Sequence, residues 1–334
     1  MRTINRKSIL VMLLVLLLVM AGCGSSGVDS DSNDSSKSNS KSTSSIVIGT
    51  AGSSGTFYAV GAGMANVLNK HSDGLNVVSQ GTNGATENVR LLHSNSIDVG
   101  MGNWDALYFG YEGTGPFNGE KQDIVGLMTL YLSGGQMVVK ADSKIESYHD
   151  LKGKKINLGP QGSTITEMSR IILKTIGIDP DKDIDPYYLS FNEGGSKLKD
   201  GDLDATFYVA GIPTAGLIEL STSTDVKLLS LEEDVREKII EEYPYYDKIT
   251  IPAGTYKGVD YDIESLQLWT ALMVNPDMPE ETAYEIVKTL MENIEEFKEV
   301  HSVGEDFSLE NAAKTIIPLH PGAEKYFKEK GVIK

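Results

Sequence analysis

From residue 46 to residue 230 the chain changes its hydrophobic period again and again. The apolar run at 46–50 has the length of a strand. Residues 55–70 follow with helical spacing, which puts Phe57, Val60, Met64, Val67 and Leu68 on one face. Strands are expected next at 75–80, 97–101 and 124–132, with a helix at 86–93. Strand and helix in alternation leave few solutions. The chain must build βαβ units, and hence an α/β fold with a mostly parallel sheet covered by helices.

The succession then starts afresh. Strands at 137–140, 155–158, 187–190, 204–209 and 227–230 alternate with helices at 148–151, 164–176, 195–199 and 213–220. Thr164-Ile165-Thr166-Glu167 has the spacing of a capping box. Two echoes tie the halves together. Ile48-Gly49-Thr50-Ala51-Gly52-Ser53 returns as Leu158-Gly159-Pro160-Gln161-Gly162-Ser163, 110 positions on. Ser96-Ile97-Asp98-Val99 returns as Asp202-Leu203-Asp204-Ala205, 106 positions on. Each pair holds the same place in its unit, so two lobes of one layout are expected. Chance similarity of Gly-rich turns is the alternative. After residue 246 come a polar loop, Ile251-Pro252-Ala253-Gly254-Thr255-Tyr256, an apolar segment at 266–274, helical sequence at 280–300 and a short helix at 321–331. The expected lobes are 46–135 with 250–334, and 136–249.

The first 45 residues obey other rules. Arg2, Arg6 and Lys7 precede an unbroken apolar run at 9–20, followed by Ala21, Gly22 and Cys23. Basic, apolar, then small is the order of a secretory leader. The run is shorter than the roughly 20 residues of a membrane-spanning helix. A cysteine directly after Ala-Gly marks a bacterial lipoprotein signal, although Met20 stands where leucine is usual. Residues 1–22 would be removed. Cys23 would carry lipid and hold the protein on the outer face of the cytoplasmic membrane, two or more acyl chains being needed for a stable hold. An uncleaved anchor is the alternative. Residues 25–45 are rich in Ser, Asn, Asp and Lys, with Val28 as the single aliphatic residue. The lipidated segment 23–45 therefore reads as a flexible tether. Cys23 is the only cysteine, so the folded part has no disulfide and depends on its core. Net charge is −17, and −20 without the three basic residues of the leader. So acidic a surface argues against nucleic acid as a partner, since that calls for a basic footprint.

Ligands of open α/β sheets bind beyond the carboxyl ends of the strands. Five strand-to-helix turns are therefore the candidate site. Gly52, Ser53, Ser54, Gly55, Thr56 and Tyr58 lie in the first, whose small residues let backbone N–H groups approach a ligand. It lacks the Gly-Lys-Ser/Thr ending of a P-loop. Thr82 and Asn83 lie in the second, and Asn103 and Trp104 in the third. Gly162, Ser163 and Thr164 lie in the fourth, and Tyr208, Ala210 and Pro213 in the fifth. Tyr58, Trp104 and Tyr208 are candidate walls. Turn chemistry alone accounts for any one of these turns, and convergence in one cleft is what would make them a site. Catalysis finds no support. His71, His93, His149, His301 and His320 are scattered without metal spacing, no thiol is left after lipidation, and no Gly-x-Ser-x-Gly elbow occurs. Gly61-Ala62-Gly63 lies inside a helix and reads as close packing. Neither a cofactor nor a metal is expected, and the chain is not expected to be an enzyme.

Several of these segments together resemble the TAXI family, the solute receptors of TRAP transporters. They are Gly49-Thr50-Ala51-Gly52-Ser53-Ser54-Gly55-Thr56-Phe57-Tyr58, Thr82-Asn83-Gly84-Ala85-Thr86-Glu87-Asn88-Val89-Arg90-Leu91-Leu92 and Val209-Ala210-Gly211-Ile212-Pro213-Thr214. Tyr243-Pro244-Tyr245-Tyr246, the loop at 251–256 and Pro318-Leu319-His320-Pro321-Gly322-Ala323 belong with them. Ala141-Asp142-Ser143 with Asp150-Leu151-Lys152-Gly153-Lys154-Lys155 is similar to the crossover of type II periplasmic-binding-protein folds. The resemblance covers residues 46 to 331. It implies two lobes closing a ligand cleft, a monomer, a small solute such as glutamate or another small carboxylate, and delivery to a TRAP permease. A receptor for an ABC importer, a ligand-sensing partner of a membrane kinase and an exported enzyme are the competing readings. Beyond the leader there are only three arginines, Arg90, Arg170 and Arg236, all in helical or surface-like sequence. A bidentate arginine clamp on a carboxylate is therefore not expected. Helix N-termini, hydroxyls and amides would hold the anion instead.

Overall fold

The computed structural model describes residues 44–334. Cys23 and the leader lie outside the described residues. The first half begins with β1 (Ser44–Gly49), α1 (Thr56–His71), β2 (Leu75–Gln80), α2 (Ala85–His93), β3 (Val99–Asn103) and α3 (Trp104–Glu112). A long strand, β4 (Val125–Lys140), leads into the second half. That half contains β5 (Lys155–Asn157), α4 (Thr164–Thr175), β6 (Asp185–Tyr187), α5 (Phe191–Asp200), β7 (Ala205–Ala210), α6 (Ala215–Ser223), β8 (Val226–Leu229), α7 (Glu233–Glu242) and β9 (Asp247–Ile251). A second long strand, β10 (Ile263–Val274), returns. It is followed by α8 (Glu280–Glu292), α9 (Ile294–Lys298), α10 (Leu309–Ala312) and α11 (Pro321–Glu329).

The strands form one curled sheet in the order β2-β1-β3-β10-β4-β7-β5-β6, with β8 beside β4 and β9 beside β10. β1 runs parallel to β2 and β3, and β5 parallel to β6 and β7. Two similar parallel triplets are thus joined through β4 and β10, which lie antiparallel to each other and to β3 and β7. Both long strands exchange partners at one level. β4 pairs with β10 as far as Gly134 and from there with β7, while β10 pairs with β9 up to Gln267, the residue opposite Gly134. The α/β, two-lobed architecture is as expected.

Three details differ from expectation. Residues 124–132 and 137–140 read as two strands, yet β4 runs through both and through Gly134-Gly135 between them. These glycines serve close packing. A Cβ on Gly134 would lie 2.5 Å from the Ile212 side chain, and one on Gly135 would lie 2.7 Å from Met168 Sδ. The cap of α4 is Ser163, whose side chain accepts the Thr166 N–H, and not Thr164. The return to the first half falls within β10 and not at residue 250. Ile251, Tyr256, Val259 and Ile263 pack with Val138, Leu198, Tyr208 and Leu217 in one apolar cluster of the second half. Segments beyond β10 do pack back on the first half. The Gly126 N–H donates to the Pro318 carbonyl, and the Leu132 N–H to Asp306.

Candidate functional site

Five helices, α1 to α5, start where β1, β2, β3, β5 and β6 end. All five open on one cavity of about 190 Å³ between the two triplets. Their capping residues Gly55, Gly84, Asn103, Ser163 and Ser190 all line it. The first N–H groups of a helix have no partner within it, and the helix dipole makes that end a seat for negative charge. Ser163 and Ser190 close their own helices by accepting the N–H of Thr166 and Glu193. No side chain caps α1, α2 or α3; Thr56 and Phe57 of α1 and Ala85 of α2 line the cavity, whereas α3 reaches it through its cap residue Asn103.

Gly84 has φ 109° and ψ −158°, a backbone region that side chains other than hydrogen scarcely tolerate. Ser53, Ser54, Thr56, Asn83, Thr164 and Asn192 add hydroxyl and amide groups, and Phe57, Ile165, Phe191, Val209 and Ala210 form apolar walls. No lining residue is ionisable. Thr56 is only 4% exposed, and its buried hydroxyl has no hydrogen-bond partner among the described residues.

Groups behind the lining fix the turns. The Asn88 side-chain amide donates to the carbonyls of Gly49 (3.2 Å), Thr50 (2.8 Å) and Met101 (2.8 Å), which fastens the ends of β1 and β3 together. Thr82 donates to the Thr50 carbonyl and accepts the Gly84 N–H. Asn103 donates to Thr270, whose hydroxyl also meets Ser133. Three bonds cross the cleft. The Glu87 N–H donates to the Gly162 carbonyl at 3.2 Å, the Thr164 hydroxyl donates to Asp105 at 2.9 Å, and the Tyr246 hydroxyl donates to the same carboxylate at 3.5 Å.

Of the residues singled out from sequence, Gly52, Ser53, Ser54, Gly55, Thr56, Asn83, Asn103, Ser163, Thr164 and Ala210 line the cavity. Six others do not. Tyr58 points away on α1 and is 40% exposed. Trp104 packs on Trp269 and donates to Thr129. Tyr208 is fully buried behind Phe191, their ring centroids 4.6 Å apart. Thr82 and Gly162 act through the hydrogen bonds just described, and Pro213 lies in the loop ahead of α6.

The segment Ser190-Phe191-Asn192 also lines the cavity and lies outside the five turns read from the sequence. Its sequence signal is the Ser190…Glu193 capping box, present in the structure with both bonds made. The three arginines are engaged elsewhere. Arg90 donates to the Pro116 carbonyl and lies over the Phe117 ring, Arg170 pairs with Asp181, and Arg236 pairs with Glu233 and Glu264. Among the described residues no group of three His, Cys, Asp or Glu side chains is placed to hold a metal ion. No helix among them is long and apolar enough to cross a membrane.

Two triplets of parallel strands, two shared long strands and a cavity ringed by helix N-termini define a protein of the periplasmic solute-binding fold. A chain solved in a study of glutathione import via GshT and the cystine ABC importer TcyBC of Streptococcus mutans has the same fold. The TM-score is 0.50 at 16% identity, covering 77% of this chain and 92% of that one. An ancestral arginine-binding protein bound to arginine gives 0.47 at 16%, covering 77% and 96%. The periplasmic aliphatic sulphonate binding protein SsuA from Escherichia coli gives 0.46 at 16%, covering 85% and 82%. Residues 48–331 match the NMT1-like family, and the chain belongs to it.

Proposed function

We propose that this protein is an extracytoplasmic receptor that closes its two lobes on a small organic anion and hands it to a membrane permease. One observation carries the reading. Five helix N-termini and an unpartnered buried hydroxyl surround a cavity without a single ionisable lining residue. Such a lining suits a carboxylate held by dipoles, each contact contributing about 0.3–1 kcal/mol when exposed and up to about 2 when partly buried. It offers nothing to an ammonium group beyond neutral acceptors. Burying an unpaired charge costs more than the roughly 1–3 kcal/mol of an unsatisfied neutral group. A 2-oxo acid is therefore expected to bind about tenfold or more tightly than the amino acid of the same skeleton. Calorimetric titration with 2-oxoglutarate and with glutamate checks this. Equal affinities, or tighter glutamate, would remove the electrostatic basis of the reading. The reading as a whole is tested by a thermal-shift screen of organic acids and amino acids, in which a tight ligand raises the midpoint by mass action.

The resemblance of the turn segments to TAXI receptors supports a TRAP-type permease as the partner. An ABC importer is the second reading, prompted by the Streptococcus mutans chain of like fold. Uptake into membrane vesicles separates them, because a TRAP system follows an ion gradient and an ABC system needs ATP hydrolysis. The proposed lipid on Cys23 would keep the receptor at high local concentration beside its permease. Cys23→Ser should release the protein into the medium.

A further inference from the structure

Asp105 sits in the first turn of α3, behind the cavity, with no exposed surface. One carboxylate oxygen accepts the N–H of Ala106 at 2.6 Å and the hydroxyl of Thr164 at 2.9 Å. The other accepts the hydroxyl of Tyr246 at 3.5 Å. Asp105 belongs to the first half, whereas Thr164 begins α4 and Tyr246 immediately precedes β9, both in the second half. The carboxyl group is thus shared across the cleft. No lysine, arginine or histidine among the described residues forms an ion pair with it. The ionisable groups that face it are Glu167 on α4 and Tyr245 and Tyr246 in the segment before β9.

We propose, on the basis of the receptor reading above, that Asp105 is a proton-linked latch: closing the lobes takes one proton from water onto its carboxyl group, and opening returns it. When the lobes part, Thr164 and Tyr246 leave and water reaches the group, where a carboxyl ionises in its ordinary range near 4. With the lobes together, burial pushes the group up to about 7. The field of Glu167 adds to this, and the bonds from Thr164, Ala106 and Tyr246 oppose it without prevailing. The positive end of α3 also favours the charged form. The sign follows from which state holds the proton more tightly. The closed state does, so its advantage is full below the ordinary carboxyl range. It declines as the pH rises, and it is lost above about 7. Acid pH favours capture and alkaline pH favours release.

The test needs no solute. Spin labels at Ser94→Cys on the first half and Asp200→Cys on the second report the distance between the halves in the full-length protein. The ratio of closed to open molecules should fall at least about tenfold between roughly pH 5 and pH 8. In Asp105→Asn, which keeps the size of the group without its titration, the ratio should not move. Glu167→Gln should retain the dependence, and Thr164→Val, which removes the hydroxyl that favours the charged form, should move the midpoint to higher pH. An unchanged pH dependence in Asp105→Asn, or a constant ratio in the unmodified protein, overturns the latch. If Asp105→Asn does not fold, the Thr164→Val midpoint decides alone. A solute that shortens the distance at fixed pH upholds the receptor reading whichever way the latch falls.

Discussion

Replacement of Asn88 by leucine is expected to destabilise the protein by about 2–4 kcal/mol. Asn88 has no exposed surface, and its amide N–H groups reach three main-chain carbonyls at the ends of β1 and β3. Each carbonyl that loses its donor while buried costs about 1–3 kcal/mol. Two effects reduce the sum. The Thr50 carbonyl keeps the Thr82 hydroxyl, and Asn88 Oδ1, which has no partner of its own, disappears with the substitution. For a chain of this size roughly 2 °C is lost per kcal/mol, so the midpoint should fall by about 4–8 °C. Asn88→Asp separates the causes. It keeps the shape and sets acceptor against acceptor, so it should be at least as damaging. Both variants should also weaken solute binding, because the two turns that Asn88 fastens carry Gly52 to Thr56 and Asn103. Differential scanning calorimetry decides, and a midpoint within about 1 °C of the unmodified protein would show that Asn88 does not hold these ends.

How much of this was legible follows from what each residue does. Gly52, Ser53 and Ser54 announce themselves, because a run of small residues between a strand period and a helix period can only be a turn. Once the βαβ alternation is seen, parallel topology brings such turns to one side, and the cleft follows. Ser190 to Asn192 stayed hidden because the apolar Tyr187-Tyr188-Leu189 reads as a continuing strand, whereas β6 stops at Tyr187 and α5 begins four residues later. Tyr208 and Trp104 read as walls on their chemistry. Alternation along a strand decides which way a side chain faces, but a strand buried on both sides gives no alternation to read, and all of β7 is buried. Asp105 directly follows Asn103 and Trp104 in the third turn, yet nothing in the sequence marks its role. It is one of 47 acidic residues, and what sets it apart is a partner 59 positions away across the cleft. Asn88 lies between these cases. It stands at the start of α2, just after a turn that sequence singles out, yet its role is to hold main-chain ends that only the folded chain brings together.

Thr56→Val is expected to weaken solute binding by about 10- to 100-fold while leaving thermal stability unchanged or raised. The two directions come from one hydroxyl. Thr56 is the first residue of α1, lines the cavity and is almost fully buried, and its hydroxyl has no partner. An unsatisfied buried hydroxyl costs a fold about 1–3 kcal/mol, and valine has the same shape without it. Nothing in the structure of the protein alone gains from the hydroxyl. A bound anion would gain from it, together with the open N–H groups of the first turn of α1. A hydrogen bond to a charged group contributes about 1.5–3 kcal/mol, which is roughly 10- to 100-fold in affinity. Serine in the same place keeps the donor and should bind nearly as well as threonine, although it loses a methyl group from the core. Calorimetric titration and thermal unfolding of the three proteins check both directions. Valine that binds as tightly as threonine would mean that the anion sits elsewhere in the cleft. Valine that unfolds earlier would mean that the hydroxyl is engaged within the fold. The partner that the Thr56 hydroxyl lacks within the fold would then arrive with the solute, which is why one substitution is expected to move binding and stability in opposite directions.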